Sequence, residues 1–524
     1  MRPNYLINKI KLSLFTAALI LTVDSFAAAQ PKASAAFSSF ERAKQVLDAA
    51  IAAHGGLENI RRADKIAIDY KSVNFPLGQS YSFVAPLAGI PRGSVKTLID
   101  FGGGRYFTES ESNFQGGYKF NFRSVVAPKR SFSIDVLQNR RGNEVRNLSE
   151  PQKIVIKIGA LSEVPHLLLL YTAQRPETLR SLGESEVDGR RFRVISFAAE
   201  NGTEMTLYFD AQTNLLIRTE QIGSNPVLGD TTSGSVFSDY QTIGSVKIPR
   251  RRSSFLNQYT TGENEYAKVK LEFAADEKML EIPPGFVEAA ASPATPPQAT
   301  ADVEGMRKMG DGVYLIERIG AAYRVMYVEF ADYVIILEAP TNADVSKAVI
   351  KLVKQTIPNK PIKYVAFSHF HFDHTGGLRE YIAEGATVIV PPGNKTFVEQ
   401  IAQSKFTLRP DTLTLKPRQP VIETFEKKRV FTDGKRTVEL YNVSPVSHAA
   451  EMAMFYFPKE KILFQGDMFS PLDAGGIPPI IEVHRELAEK VFSLKLDVET
   501  LVGVHSGALP WKDFLNAVND SAKK

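Results

Sequence analysis

Residues 368–377 read SHFHFDHTGG, in a chain of 524 residues that holds only eight histidines. The stretch follows IKYVAF, an apolar run that reads as a strand, so the histidines begin where that strand ends. A loop just past a strand end can aim several side chains at one point while the strand holds it rigid. In a locally extended segment, positions i and i+2 share a side, which puts His369 and His371 together. Asp373 and His374 follow where the chain turns, and Thr375-Gly376-Gly377 opens the next helix. Neutral imidazole and carboxylate are ligands that divalent zinc accepts.

Three further residues are placed in the same way. His448 follows the strand ending in YNVS, Asp467 follows KILFQG, and His505 follows TLVGV. Parallel strands of one sheet would present all of them at a single edge. Five histidines and two aspartates make two sets of three plus a bridge, the ligand count of two zinc ions. The other three histidines read as structural: His54 at a helix C-terminus beside Gly55, His166 in an apolar helical stretch, and His484 in IIEVHRELAEK, which also has the option of lining a cleft.

Outward from this cluster, strands and helices alternate (YRVMYVEF, YVIILEAP, ADVSKAVIKLVKQTI, TVIVPP, ELAEKVFSLK), the pattern of an α/β layered domain over 303–524. Before it, EAAASPATPPQATAD lacks periodicity and reads as a linker over 288–302. Residues 30–287 read as a β-rich domain. FERAKQVLDAAIAAHGG predicts a helix stopped by Gly55-Gly56, and KIAIDYKSV, RFRVISF, TEMTLYFD and AKVKLEF alternate as antiparallel strands. A helical interruption is expected around 160–182, and the run Lys247, Arg250, Arg251, Arg252 reads as a solvated strand face.

The first 29 residues combine a basic start, an apolar run from Leu12 to Val23 and Ala27-Ala28-Ala29, the layout of a secretory signal cleaved after Ala29. No later stretch is long and apolar enough to anchor the mature chain in a membrane. Absence of cysteine excludes disulfides and a thiolate nucleophile. A net charge of +5 is too weak to argue for nucleic acid. A periplasmic or secreted protein with a small-molecule substrate is expected.

The ordered motifs H-F-H-F-D-H at 369–374, His448, Gly466-Asp467 and H-S-G at 505–507 resemble the metallo-β-lactamase superfamily over 303–524. The resemblance implies a four-layer αβ/βα sandwich and two zinc ions: His369, His371 and His448 on the first, Asp373, His374 and His505 on the second, Asp467 bridging. It implies a hydrolase, with Asp373 orienting the attacking hydroxide, acting on an ester, lactone, β-lactam or related bond. Two positions depart from the family pattern: Glu338 stands where an aspartate usually braces the metal loop, and Ser447-His448-Ala449 replaces Gly-His-Thr. Residues 469–480 and 400–428 are the expected pocket walls. An iron-dependent oxidoreductase on the same scaffold is the alternative chemistry; full His/Asp occupancy and the lack of a glutamate at 371 argue against it. LYFDAQTNLLIRTE followed by FSDYQTIGSVKIPRR resembles lipoprotein-carrier (LolA/LolB-like) half-barrels, which implies, as an alternative to the hydrolase, a carrier of a lipid or other apolar ligand in the N-terminal half with the zinc domain an accessory.

Overall fold

The computed structural model describes residues 34–84, 87–139, 142–187, 189–271, 280–288, 303–319, 323–472, 476–505 and 507–523. The leader read at 1–29 and residues 289–302 of the linker lie outside them. Glu288, read as the first linker residue, forms with Val287 a two-residue strand that pairs in parallel with Glu144–Asn147, Glu288 opposite Val145. Among the described residues no helix is long and apolar enough to cross a membrane.

In the N-terminal half, alternation decides which side of each strand is buried. Ile66, Ile68 and Tyr70 of Lys65–Asn74 face inward, and this strand lies antiparallel between Val95–Asp100 and Tyr259–Leu271. The resulting fifteen-stranded sheet runs from Val287–Glu288 at one edge to Arg180–Val187 at the other without closing. The helix Ala35–Ala53 ends at His54, as its Gly55-Gly56 stop requires. The expected helical stretch at 160–182 is two helices, Glu150–Leu161 and Pro165–Ala173, and Arg180 already opens a strand. Pro165 sits in the first turn of the second helix, where its missing N–H costs nothing.

That second helix, PHLLLLYTA, is buried from Pro165 to Thr172, as a helix apolar on every side must be. Leu167, Leu168 and Leu169 join Leu47 and Ala50 of the first helix against Ile66, Ile68, Ile99, Leu207 and Phe209 of the sheet. Each such leucine, isoleucine or phenylalanine contributes about 1.5–3 kcal/mol by leaving water. The helices therefore fill a face that the carrier resemblance would leave as a cavity.

The basic run divides. Arg251 is exposed and meets Asp239 at 3.2 Å. The Arg252 side chain is only 12% exposed and pairs with Glu163 at 2.8 Å. Glu163 also accepts from Tyr70 Oη at 2.8 Å and Thr97 Oγ1 at 3.1 Å. Neighbours on a strand face opposite ways, so a run of like charges is not one surface.

The C-terminal half stacks two sheets face to face. One has seven strands, from Val303–Gly310 through Val334–Leu337 and Ile362–Ala366 to Ile422–Thr424; the other has six, from Lys428–Thr432 to Ala508–Pro510. Leu315, Met326, Val328, Leu337, Phe455 and Phe464 interlock between them. The helices Ala343–Thr356, Leu378–Glu384 and Lys395–Gln403 pack on the outside of the first sheet. Glu482–Ser493 and Trp511–Ala522 pack on the second. Four layers result. The strands preceding the candidate ligands belong to both sheets, not to one as the strand-end reading expected: Ile362–Ala366 lies in the seven-stranded sheet, whereas Thr437–Asn442, Ile462–Gln465 and Thr500–Gly503 lie in the six-stranded one.

Candidate metal centre

All seven candidate residues meet at the rim where these two sheets end. The ligand atoms of His369, His371, His448 and Asp467 lie within 4.8 Å of one another, and so do those of Asp373, His374, Asp467 and His505. Asp467 is common to both groups. Its Oδ1 lies 3.0 Å from the Nε2 atoms of His374 and of His505, and its Oδ2 lies 3.4 Å from His448 Nε2 and 3.8 Å from His369 Nε2.

Partners on the far side of each ring decide which nitrogen faces inward. His371 Nε2 donates to the Ser80 carbonyl at 2.9 Å, so Nδ1 is the atom that faces the cluster, and it is buried with no hydrogen-bond partner among the described residues. His369 Nδ1 lies 3.0 Å from Ser368 Oγ, His374 Nδ1 3.2 Å from Glu338 Oε2, and His448 Nδ1 3.4 Å from the Gln115 carbonyl, which leaves their Nε2 atoms inward. Outer partners of this kind fix tautomer and ring orientation at metal sites. Convergent lone pairs, of which His371 Nδ1 and Asp467 Oδ1 have no hydrogen-bond partner among the described residues, and a shared carboxylate fit a pair of divalent ions.

Charge divides the rings. Burial pushes the His369 imidazolium well below its usual range, and pushes His371 down to about 3. Burial also opposes charge on His374 and His505, but the nearby carboxylates outweigh it and raise both, Asp467 foremost. Asp467 is in turn held well below the usual carboxylate range, because His505 and His374 outweigh its burial. The inner pocket thus demands positive charge, which cations supply as well as protons do.

Glu338 takes the place of the bracing aspartate. It is fully buried, adopts φ 87°, accepts from the Ser368 amide at 2.8 Å and reaches His374 with its other oxygen. That backbone conformation costs a non-glycine residue about 1–3 kcal/mol, offset here by two bonds that hold the metal loop. Ser447, the other departure, donates from its amide and hydroxyl to Glu486 at 2.9 and 2.6 Å, which ties the His448 loop to the helix Glu482–Ser493.

Strand-end reasoning did not reveal how far the N-terminal half enters this site. Residues 78–81 lie along the metal loop: Gly78 accepts from the Phe372 amide at 3.0 Å, Gln79 Nε2 donates to Asp373 Oδ1 at 2.5 Å, and Ser80 holds His371. Gly78 has φ +81°, and a Cβ there would overlap the Phe372 ring, so the close approach requires glycine. Residues 114–118 form a second contact. The Gly116 amide donates to Ser447 O at 3.1 Å, and Tyr118 Oη donates to the Asp467 carbonyl at 2.9 Å. Tyr323 from the C-terminal half completes the rim, its Oη 3.3 Å from Asp373 Oδ2.

A cavity of about 630 Å³ opens over Asp373, His448, Asp467 and His505. Ser470, Pro471, Pro478 and Pro479 form one wall, within the expected 469–480 loop. None of 400–428 lines it; Thr407 and Leu408 instead donate their amides to Asp230 of the N-terminal half, at 2.8 and 3.0 Å. The opposite wall is N-terminal: Phe114, Tyr118, Phe120 and Phe122. His484 lines the cavity as well, buried against Phe469 and Tyr118. His54 and His166 lie elsewhere, bonded to the carbonyls of Ala50 and Ala63.

Residues 324–505 match the family model of the metallo-beta-lactamase superfamily. A linear primary-alkylsulfatase from a Pseudomonas species is 28% identical over 83 residues, which is 16% of this chain and 12% of that protein, so only a small share of that relative's length is matched. Among solved structures, a metallo-beta-lactamase from Pontibacter korlensis aligns over 42% of this chain and 99% of its own at 14% identity, with a TM-score of 0.33. A stereoselective inverting sec-alkylsulfatase from Pseudomonas aligns over 41% of this chain and 40% of its own at 15% identity, with a TM-score of 0.31. The C-terminal half carries the metallo-β-lactamase fold, a hydrolase-type scaffold.

Proposed function

We propose that the chain is an exported dinuclear zinc hydrolase that cleaves an ester, lactone, β-lactam or related bond of a small-molecule substrate. The observation that carries this reading is the pair of ligand groups that share Asp467. In this assignment His369, His371 and His448 hold one zinc, Asp373, His374 and His505 hold the other, and Asp467 bridges. Bound there, the two ions would supply a water acidified to near neutrality and a Lewis acid for the developing oxyanion.

The chain's own residues do the rest. Gln79 and Tyr323 fix the two oxygens of Asp373, which aims the carboxylate at the position between the ligand groups, where it accepts a proton from the attacking water and passes it to the leaving group. Ser80, Gln115 and Glu338 hold three rings in the tautomer that leaves a lone pair inward. The apolar wall at Phe114, Phe120 and Phe122 keeps bulk water from the substrate. We assign residues 1–29 as a cleaved leader, 30–287 as the β-rich domain, 288–302 as linker and 303–524 as the hydrolase domain, with a periplasmic or secreted location.

Metal analysis of the native protein and a hydrolysis screen of the mature chain test the reading. The screen spans β-lactams, lactones, thioesters, aryl esters and phosphodiesters, with alkyl sulfates added because of the alkylsulfatase relative, and each is repeated with a chelator. Two zinc ions per chain and a chelator-sensitive hydrolysis are expected. Iron in near-equal ratio to chain without zinc, or turnover indifferent to the chelator, would overturn it.

A further inference from the structure

We infer that the strand Lys119–Val126 and the turn before it form a subsite for an elongated apolar group, alkyl or aryl, on the substrate; this rests on the hydrolase reading above. Strand alternation points Tyr118, Phe120 and Phe122 to one side. Their rings stack in a row: Tyr118 on Phe120 at 6.1 Å and 9° between planes, Phe120 on Phe122 at 5.9 Å and 12°. Phe114 meets Phe120 edge-on at 5.5 Å. The row extends on the order of 10 Å away from the candidate metal centre at a strand rise of about 3.4 Å per residue.

These rings are half-buried and line the cavity; Tyr118 also packs against the core under the helices of the second sheet, which anchors the inner end of the row. A contiguous, partly exposed aromatic row that begins beside a cluster of ligand side chains has the form of a binding cleft with one polar end and one apolar end. Tyr118 joins the two ends, since its hydroxyl holds the Asp467 carbonyl while its ring starts the row. Pro478, Pro479 and Ile481 supply apolar surface from the C-terminal half. A substrate that places its scissile group at Asp467 and lays a chain along the rings buries that chain on both sides. Each methylene so buried is worth about fourfold in kcat/KM.

The experiment compares para-nitrophenyl acetate with para-nitrophenyl octanoate, and methyl acetate with octyl acetate, on the zinc-loaded full chain. A preference for the long ester of roughly a hundredfold is expected in at least one series, the equivalent of about three to four of the six or seven added methylenes lying fully against the rings. In the double variant Phe120→Ala/Phe122→Ala that ratio falls about tenfold or more, while Phe120→Leu/Phe122→Leu keeps most of it, an outcome misfolding would not produce. Equal rates for short and long esters in both series, or a ratio unchanged by the alanine pair, overturns the subsite. If no ester is turned over, the hydrolase reading is left to the wider substrate screen above, which it can fail independently of the subsite. Calorimetry with octanoate and acetate as probes then decides the subsite: tighter octanoate binding that the alanine pair abolishes supports it, and indifference to chain length overturns it.

Discussion

Buried histidines occur in both halves of this chain, and they differ in what faces them. His54 and His166 each spend one nitrogen on a backbone carbonyl, and the other is buried without a hydrogen-bond partner among the described residues. His371 matches His166 atom for atom, with Nε2 on a carbonyl and Nδ1 orphaned. An orphaned ring nitrogen therefore says little by itself. In the N-terminal half the surroundings are rings and apolar side chains: Tyr240 meets His54 edge-on at 5.6 Å, and His166 lies in the buried helix Pro165–Ala173. In the C-terminal half several inward nitrogens converge with two carboxylates within 4.8 Å. Convergence with negative charge is what separates a candidate ligand from a core residue.

The sharpest way to break that distinction is to remove the shared carboxylate. Asp467→Ala should lower turnover by a factor of about 1,000 or more and empty the centre of metal, with the circular dichroism spectrum unchanged. Retention of near-full activity would mean that the convergence is incidental.

The second effect belongs to the isolated histidines. Burial lowers His166 to about 3 and His54 to about 4, against 6.5 for a free imidazole. As pH falls the unfolded chain takes up these protons first, so their contribution is complete above pH 6.5 and is lost progressively towards pH 4 and below. The loss per residue is on the order of 3 kcal/mol. Denaturant titrations at pH 7.5 and 4.5 of the wild type and of His166→Leu, which cannot titrate, isolate the slope; parallel pH dependences would refute it.

Glu338→Gln sharpens the contrast from the side of the ring partners. An amide nitrogen opposite His374 Nδ1 favours the tautomer that turns a proton, not a lone pair, inward. Metal affinity, read by chelator competition, should fall about 10–100-fold while folding persists. Tyr118→Phe is the mildest test. It removes the bond to the Asp467 carbonyl and keeps the ring, so kcat/KM should fall only about three- to fivefold, consistent with a single neutral hydrogen bond of about 1 kcal/mol.

The C-terminal architecture and the meeting of the seven side chains were legible because strands that end in charged or imidazole residues leave a mark in residue type. Serine 80 and glutamine 115 act through their carbonyls, and a backbone carbonyl has no such mark. Tyr118, Phe120 and Phe122 were not singled out, because alternation in a sequence does not show which distant loop that side of a strand will meet. Residues 400–428 were expected at the pocket because they lie among the C-terminal loops; docking against Asp230 takes that segment elsewhere. Arg252 was misread because a basic run gives no sign of which members a pleat turns inward.

One consequence follows from the aromatic row lying on a strand far upstream of the cation-gripping loops. On the proposed reading, substitutions at Phe120 and Phe122 retune what the molecule accepts without touching the ligand side chains, whereas Tyr118 is tied to Asp467. Recombination between such halves would move selectivity and reactivity as separate cassettes, provided that the turn whose glycine is pressed against Phe372 is kept.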